Sequence, residues 1–102
     1  MEFKGEEDVS DLTTGSVVAD FYAEWCGPCK KLGPIFAQVA EQFSKNVKFF
    51  KIDTDQHEMY SIRVLPTLLF LRDGEIVKRL EGFRSKTEIE EEISRIYGPF
   101  AE

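Results

Sequence analysis

The stretch DFYAEWCGPCKKLGP, residues 20–34, decides how this chain is read. It carries both cysteines of the protein, two residues apart, beside its only tryptophan. Just upstream, SVVADFYA is a nearly continuous apolar run, the mark of a strand buried on both faces. Downstream, Leu32, Phe36, Ala40 and Phe43 recur at helical spacing and predict one apolar stripe. The strand is expected to stop near Ala23 and the helix to start near Cys26, so the thiols fall at the junction. Pro28 sits in the first helical turn, where a missing N–H costs nothing. Pro34 lies further in and predicts a kink.

That junction has chemical consequences. The first turn of a helix presents unpaired N–H groups and the positive end of the macrodipole. A sulfur held there is stabilised as thiolate, the form that attacks disulfides. Cys29, about one turn further on, shares the same side of the helix and is expected to be the more buried of the two. The two sulfurs can close a bond. The implied cycle is thiol–disulfide exchange: Cys26 attacks a disulfide, and Cys29 then displaces the captured partner. Two blander readings stay open at this level. The cysteines could be small buried hydrophobes, although a Gly-Pro between them serves a turn better than a core. They could hold zinc, but a structural site takes four ligands and only His57 adds a soft donor. No metal is expected.

The bulk composition narrows the partners. At 102 residues the chain fits one compact domain spanning 1–102, and 42% hydrophobic residues, nine Phe among them, supply its core. A net charge of −6 with scattered Lys and Arg argues against nucleic acid, which needs a concentrated basic patch. No apolar run approaches the roughly 20 residues that span a bilayer, so no membrane is expected. The opening MEFKGEEDVSDL is acidic and polar, the reverse of a signal peptide. These features predict a cytoplasmic monomer, in a compartment where paired thiols are not a secreted disulfide framework.

The remaining pattern gives the architecture. Glu6 to Leu12 is expected to form a short acidic helix, with barely room for a strand at Met1 to Lys4. NVKFFKID reads as a second buried strand and TDQHEMYSI as a short helical link. PTLLFLRDGEIVKRLEG reads as two strands joined through Asp73-Gly74, a dipeptide suited to a tight hairpin. The last helix opens at Ser85 with Glu88 completing a capping box, buries Ile89, Ile93, Ile96 and Tyr97, and ends at Gly98-Pro99. A strand–helix–strand crossover followed by an antiparallel pair implies an α/β fold. Its mixed central sheet would have four strands, or five with the N-terminal one, and helices on both faces.

The chain resembles the thioredoxin family. The resemblance rests on WCGPCK at 25–30, extended upstream by DF and AEW and downstream by Pro34. KIDTD, IRVLPTLLFLRDGE and EGFRSK follow in the family's order, so it covers almost the whole chain, from about Ser16 to Tyr97. It implies a thioredoxin fold and a general protein-disulfide reductase that needs no cofactor beyond its own cysteine pair. The implied partners are disulfide-containing client proteins and a thioredoxin reductase as electron donor. Residue by residue, it makes Cys26 the nucleophile and Cys29 the resolving thiol. Asp20 becomes a buried carboxylate that accepts the Cys29 proton through water, and Lys51 the ammonium that moderates it. Pro66, after Leu65, matches a cis-proline facing the cysteines. Trp25, Gly27, Pro28, Val64, Leu65 and Gly82 match the flat surface that receives a client backbone.

Each role has a plainer counterpart. Asp20 and Lys51 could be a structural ion pair, Trp25 ordinary packing and Pro66 a strand start. His57 and the EIEEE run read as solvated surface. Four features depart from the family pattern: Tyr22 replaces a common Trp, the link before IRVLPT is short, the N-terminus is short, and Glu81 puts a charge beside Gly82. Two other functions compete. An oxidase or isomerase would place a thiolate-stabilising residue such as His between the cysteines, where this chain has Pro28. A non-catalytic binding module would use the fold alone.

Overall fold

Strand β1 (Ser16–Tyr22) runs through the middle of the sheet in the computed structural model, which describes residues 1–98. It pairs in parallel with β2 (Lys48–Asp53) on one side and antiparallel with β3 (Thr67–Arg72) on the other; β4 (Glu75–Glu81) completes the order β2-β1-β3-β4. The parallel pair needs a crossover, and α2 (Gly27–Phe43) supplies it. A short 3-10 turn (Gly5–Glu7) and α1 (Val9–Leu12) precede β1, and α3 (Lys86–Tyr97) closes the described chain.

Alternation along the strands separates two cores. Val18, Phe49, Leu68 and Phe70 point to one face and bury Leu32, Phe36, Val39 and Phe43 of α2 with Ile89 and Ile93 of α3. Val17, Ala19, Phe21, Phe50, Leu69 and Leu71 point to the other, against Phe3 and Leu12. The register puts Asp20 opposite both Lys51 and Leu68. Asp20, two residues from Val18, and Lys51, two from Phe49, therefore lie on the α2 side. This parity carries the carboxylate beneath the helix that bears the cysteines.

Local rules account for most boundaries. Asp73 and Gly74 both adopt positive φ, +50° and +85°, as a two-residue hairpin between twisted strands requires. Asp73 also locks the turn to the start of β1, accepting from the Gly15 N–H at 2.8 Å. Ser85 caps α3 with the reciprocal Glu88 bond in place. Replacing Ser85 with Ala is expected to cost about 1 kcal/mol of stability, read as a lower urea midpoint at unchanged slope. At its other end α3 is tied down by the Tyr97 hydroxyl, 2.7 Å from the Val17 carbonyl oxygen and 2.9 Å from that of Leu71. Gly98 follows the helix, and Pro99 lies outside the described residues.

Three expectations change. The link TDQHEMYSI is not helical: Asp53 gathers the N–H groups of Asp55, Gln56 and His57 into turns. Tyr60 and Ser61 then both take positive φ, which no right-handed helix can continue through. Apolar Met59, Tyr60 and Ile62 still pack on the second core, so the segment covers that face without helical structure. In α2 the buried stripe runs through Val39, with Ala40 only half-buried beside it. The N-terminal segment makes a single parallel bridge, Glu2 to Lys51, so the sheet has four strands.

Candidate active site

The loop leaving β1 turns into α2 with Cys26 at the N-cap. Its backbone is extended there (φ −88°, ψ 114°), and its sulfur accepts the Cys29 N–H at 3.2 Å. Sulfur thus fills the place a Ser or Asp oxygen takes in an ordinary cap. Pro28 occupies the first turn. Cys26 and Cys29 are joined as a disulfide, with Cα atoms 5.2 Å apart. Both are 5% exposed, so the expected difference in burial is absent. Tyr22, Ala23 and Leu65 pack around the pair and cover both members alike.

Beside the pair opens a cleft of about 440 Å³ lined by Trp25, Cys26, Gly27, Pro28, Ile62 and Leu65, with Thr54 and Arg63 at its sides. Trp25 is 70% exposed and its indole N–H donates to an Asp55 carboxylate oxygen at 2.9 Å. A flat apolar ring is therefore held in place at the surface. The Leu65–Pro66 peptide is cis, and the Pro66 carbonyl accepts the Gly82 N–H at 2.7 Å. Val64 is exposed on the same loop, but neither it nor Gly82 lines the cleft. Ile62, Arg63, Thr54 and Asp55 are the residues that sequence reasoning missed. Arg63 lay in plain view inside IRVLPT, whereas Asp55 reaches Trp25 across thirty residues of chain.

On the α2 side of β1 Asp20 is fully buried, and neither carboxylate oxygen has a hydrogen-bond partner among the described residues. Burial pushes its carboxyl up from 3.8 to about 7; the Lys51 charge opposes this and Glu2 reinforces it. A smaller cleft of about 300 Å³ reaches Cys29 and Lys51 past Tyr22, Glu24 and Gly33. The arrangement comprises a sulfur in a helix cap, a bonded partner one turn on, a largely apolar cleft beside them and a buried carboxyl pushed up toward neutrality. Such a set can exchange disulfides and move the protons involved.

His57, the one further soft donor, stacks edge-on against Phe3 with ring centroids 5.0 Å apart. Among the described residues no helix is long and apolar enough to cross a membrane.

Known proteins agree with this geometry. The thioredoxin family model matches residues 2–95. The chain is 46% identical to the thioredoxin of Mycoplasmoides gallisepticum over 92 residues, 86% of this chain and 91% of that one. It is 36% identical to the thioredoxin of Bacillus subtilis over 90 residues, covering 84% and 86%. Among solved structures it superposes on a mutant thioredoxin from Halobacterium salinarum with a TM-score of 0.83, at 34% identity and covering 93% and 88%. Thioredoxins are protein-disulfide reductases that work through their own cysteine pair without a cofactor. Dithiol–disulfide exchange at Cys26 and Cys29 follows, and the chain belongs to the thioredoxin family.

Proposed function

We propose that Cys26 is the attacking thiol and Cys29 the resolving thiol of a general protein-disulfide reductase. The observation that carries this assignment is the Cys29 N–H aimed at the Cys26 sulfur, which favours negative charge on Cys26. In the reduced protein the Cys26 thiolate attacks one sulfur of a client disulfide, and the other client sulfur leaves as thiolate. Cys29 then gives its proton to Asp20 by way of solvent and attacks Cys26, expelling the second client thiolate. Two electrons pass to the client, and the Cys26–Cys29 bond remains. A thioredoxin reductase returns it to the dithiol.

Lys51 moderates Asp20 from the neighbouring strand. Trp25, Gly27, Pro28 and Leu65 receive the client's extended backbone in the cleft, with Val64 and Gly82 flanking it and Pro66 behind. The acidic balance supports a monomer of one domain, 1–102, and the bacterial thioredoxins it is similar to support a place in the cytoplasm.

The reduced protein is expected to reduce insulin with dithiothreitol as electron source, and Cys26→Ser to lower that rate by about a thousandfold. Equal rates from the two proteins would sink the assignment.

A further inference from the structure

Lys51 poses a problem. It is the only cation placed in register with Asp20, a buried carboxylate lacking any hydrogen bond. Yet among the described residues Lys51 makes no ion pair within 4 Å with it or with any other acid. Its ammonium lies instead 4.4 Å from the centroid of the Tyr22 ring. The Tyr22 hydroxyl in turn donates to a Glu2 carboxylate oxygen at 2.7 Å. Glu2 is fixed by the backbone on either side of it: Lys51 N–H donates to the Met1 carbonyl, and Phe3 N–H donates to the Lys51 carbonyl, both at 2.8 Å. The side chains of Glu2, Tyr22 and Lys51 therefore form one chain of contacts next to Asp20.

An ammonium over an aromatic face is attracted by the ring's quadrupole. A phenol that donates to a carboxylate is more electron-rich, so its face holds the cation more strongly. We propose that Tyr22 is a positioning residue for the proton relay: its ring, polarised by Glu2, holds the Lys51 ammonium off the Asp20 carboxylate. The inference rests on Asp20 being the relay base. A contact ion pair would favour ionised Asp20 and make it a weak base toward a thiol. Held at the ring, Lys51 lowers the cost of the charge without fixing it, and Asp20 titrates where a base at neutral pH is most useful.

The other charged groups near this cluster are Glu24 in the loop before α2, Lys30 on α2 and Asp53 on β2; β3 presents only apolar Leu68 to Asp20. None of these is bonded to Lys51.

The test follows the Asp20 carboxyl by carbon NMR through a pH titration of the oxidised protein, alongside the pH profile of insulin reduction. Tyr22→Leu frees the ammonium to pair with Asp20, so the Asp20 midpoint is expected to fall by about one pH unit or more. The acid limb of the rate profile should move down with it. Tyr22→Phe keeps the ring but loses Glu2, and a smaller fall in the same direction is expected. In a Lys51→Met background Tyr22→Leu should leave the midpoint where Lys51→Met alone puts it. An unchanged or raised midpoint in either Tyr22 variant overturns the proposal, and so does a fall that persists without Lys51. Failure of the relay itself would appear separately, as an Asp20→Asn protein with undiminished turnover, while the titration would still report where Lys51 is held.

Discussion

With Cys29 replaced by Ser, the protein is expected to accumulate as a covalent adduct with its client. The Cys26 sulfur remains at the N-cap of α2, in the field of the first-turn N–H groups, and still attacks. What is lost is the intramolecular displacement. In the native geometry the second sulfur is already bonded to the first, with Cα atoms 5.2 Å apart. That placement corresponds to an effective concentration far above any thiol in solution, about 10⁵ M or more for well-oriented groups. Turnover should therefore fall by at least about a hundredfold even with excess dithiothreitol. Non-reducing gels should show a client adduct that disappears on strong reduction. Cys26→Ser should form no such adduct, because Cys29 lies inside the first turn of α2 and is not the N-cap residue that accepts a first-turn N–H. Adducts of equal yield from both variants would show that the order of attack is wrong.

The second large effect concerns stability. Asp20 is ionised in the unfolded chain above about pH 4, but in the fold burial holds it protonated up to about 7. Between those values the native state binds more protons than the unfolded one, so this group's contribution worsens as pH rises through the window. Above pH 7 the full penalty is present, about 4 kcal/mol at 1.4 kcal/mol per pH unit. Asp20→Asn removes the charge but leaves an amide with no partner, which returns part of the gain. The variant is expected to be about 2 kcal/mol more stable than wild type at pH 8, melting about 10 °C higher. The difference should change sign by pH 4, where native Asp20 is neutral and only the amide's cost, which does not depend on pH, is left, so that wild type is then the more stable by about 1–2 kcal/mol. Turnover should drop by about a hundredfold at neutral pH as the base is lost. A variant that melts alike at both pH values would mean that the carboxylate is not confined as described. On the expected result, the residue is kept for chemistry at a standing cost to the fold.

Much of this was visible in the chain because the relevant rules are local. The cysteine pair at a strand-to-helix junction, the Asp73-Gly74 hairpin and the Ser85–Glu88 box each depend on a few neighbouring residues. The mixed sheet then followed from the order of elements. What stayed hidden depends on contacts between distant segments. Glu2 meets Tyr22 twenty positions away, and Lys51 turns to that ring and not to the acid opposite it. The link after Asp53 looked helical because its composition allows a helix. Its course is set by an aspartate gathering N–H groups and by two left-handed residues, which no periodicity reports. The equal covering of the two cysteines depends on Leu65, brought from a loop thirty-six residues beyond Cys29.

The lone bridge at Glu2 also matters for what the molecule avoids. Both outer margins of a sheet are templates on which another chain can add, and β4 guards its own with Glu75, Lys78, Arg79 and Glu81. β2 carries apolar Phe49, Phe50 and Ile52 among Lys48, Lys51 and Asp53, and the first residues lie along it as a cover. Trimming them would bare a sticky rim on which other copies could stack and precipitate.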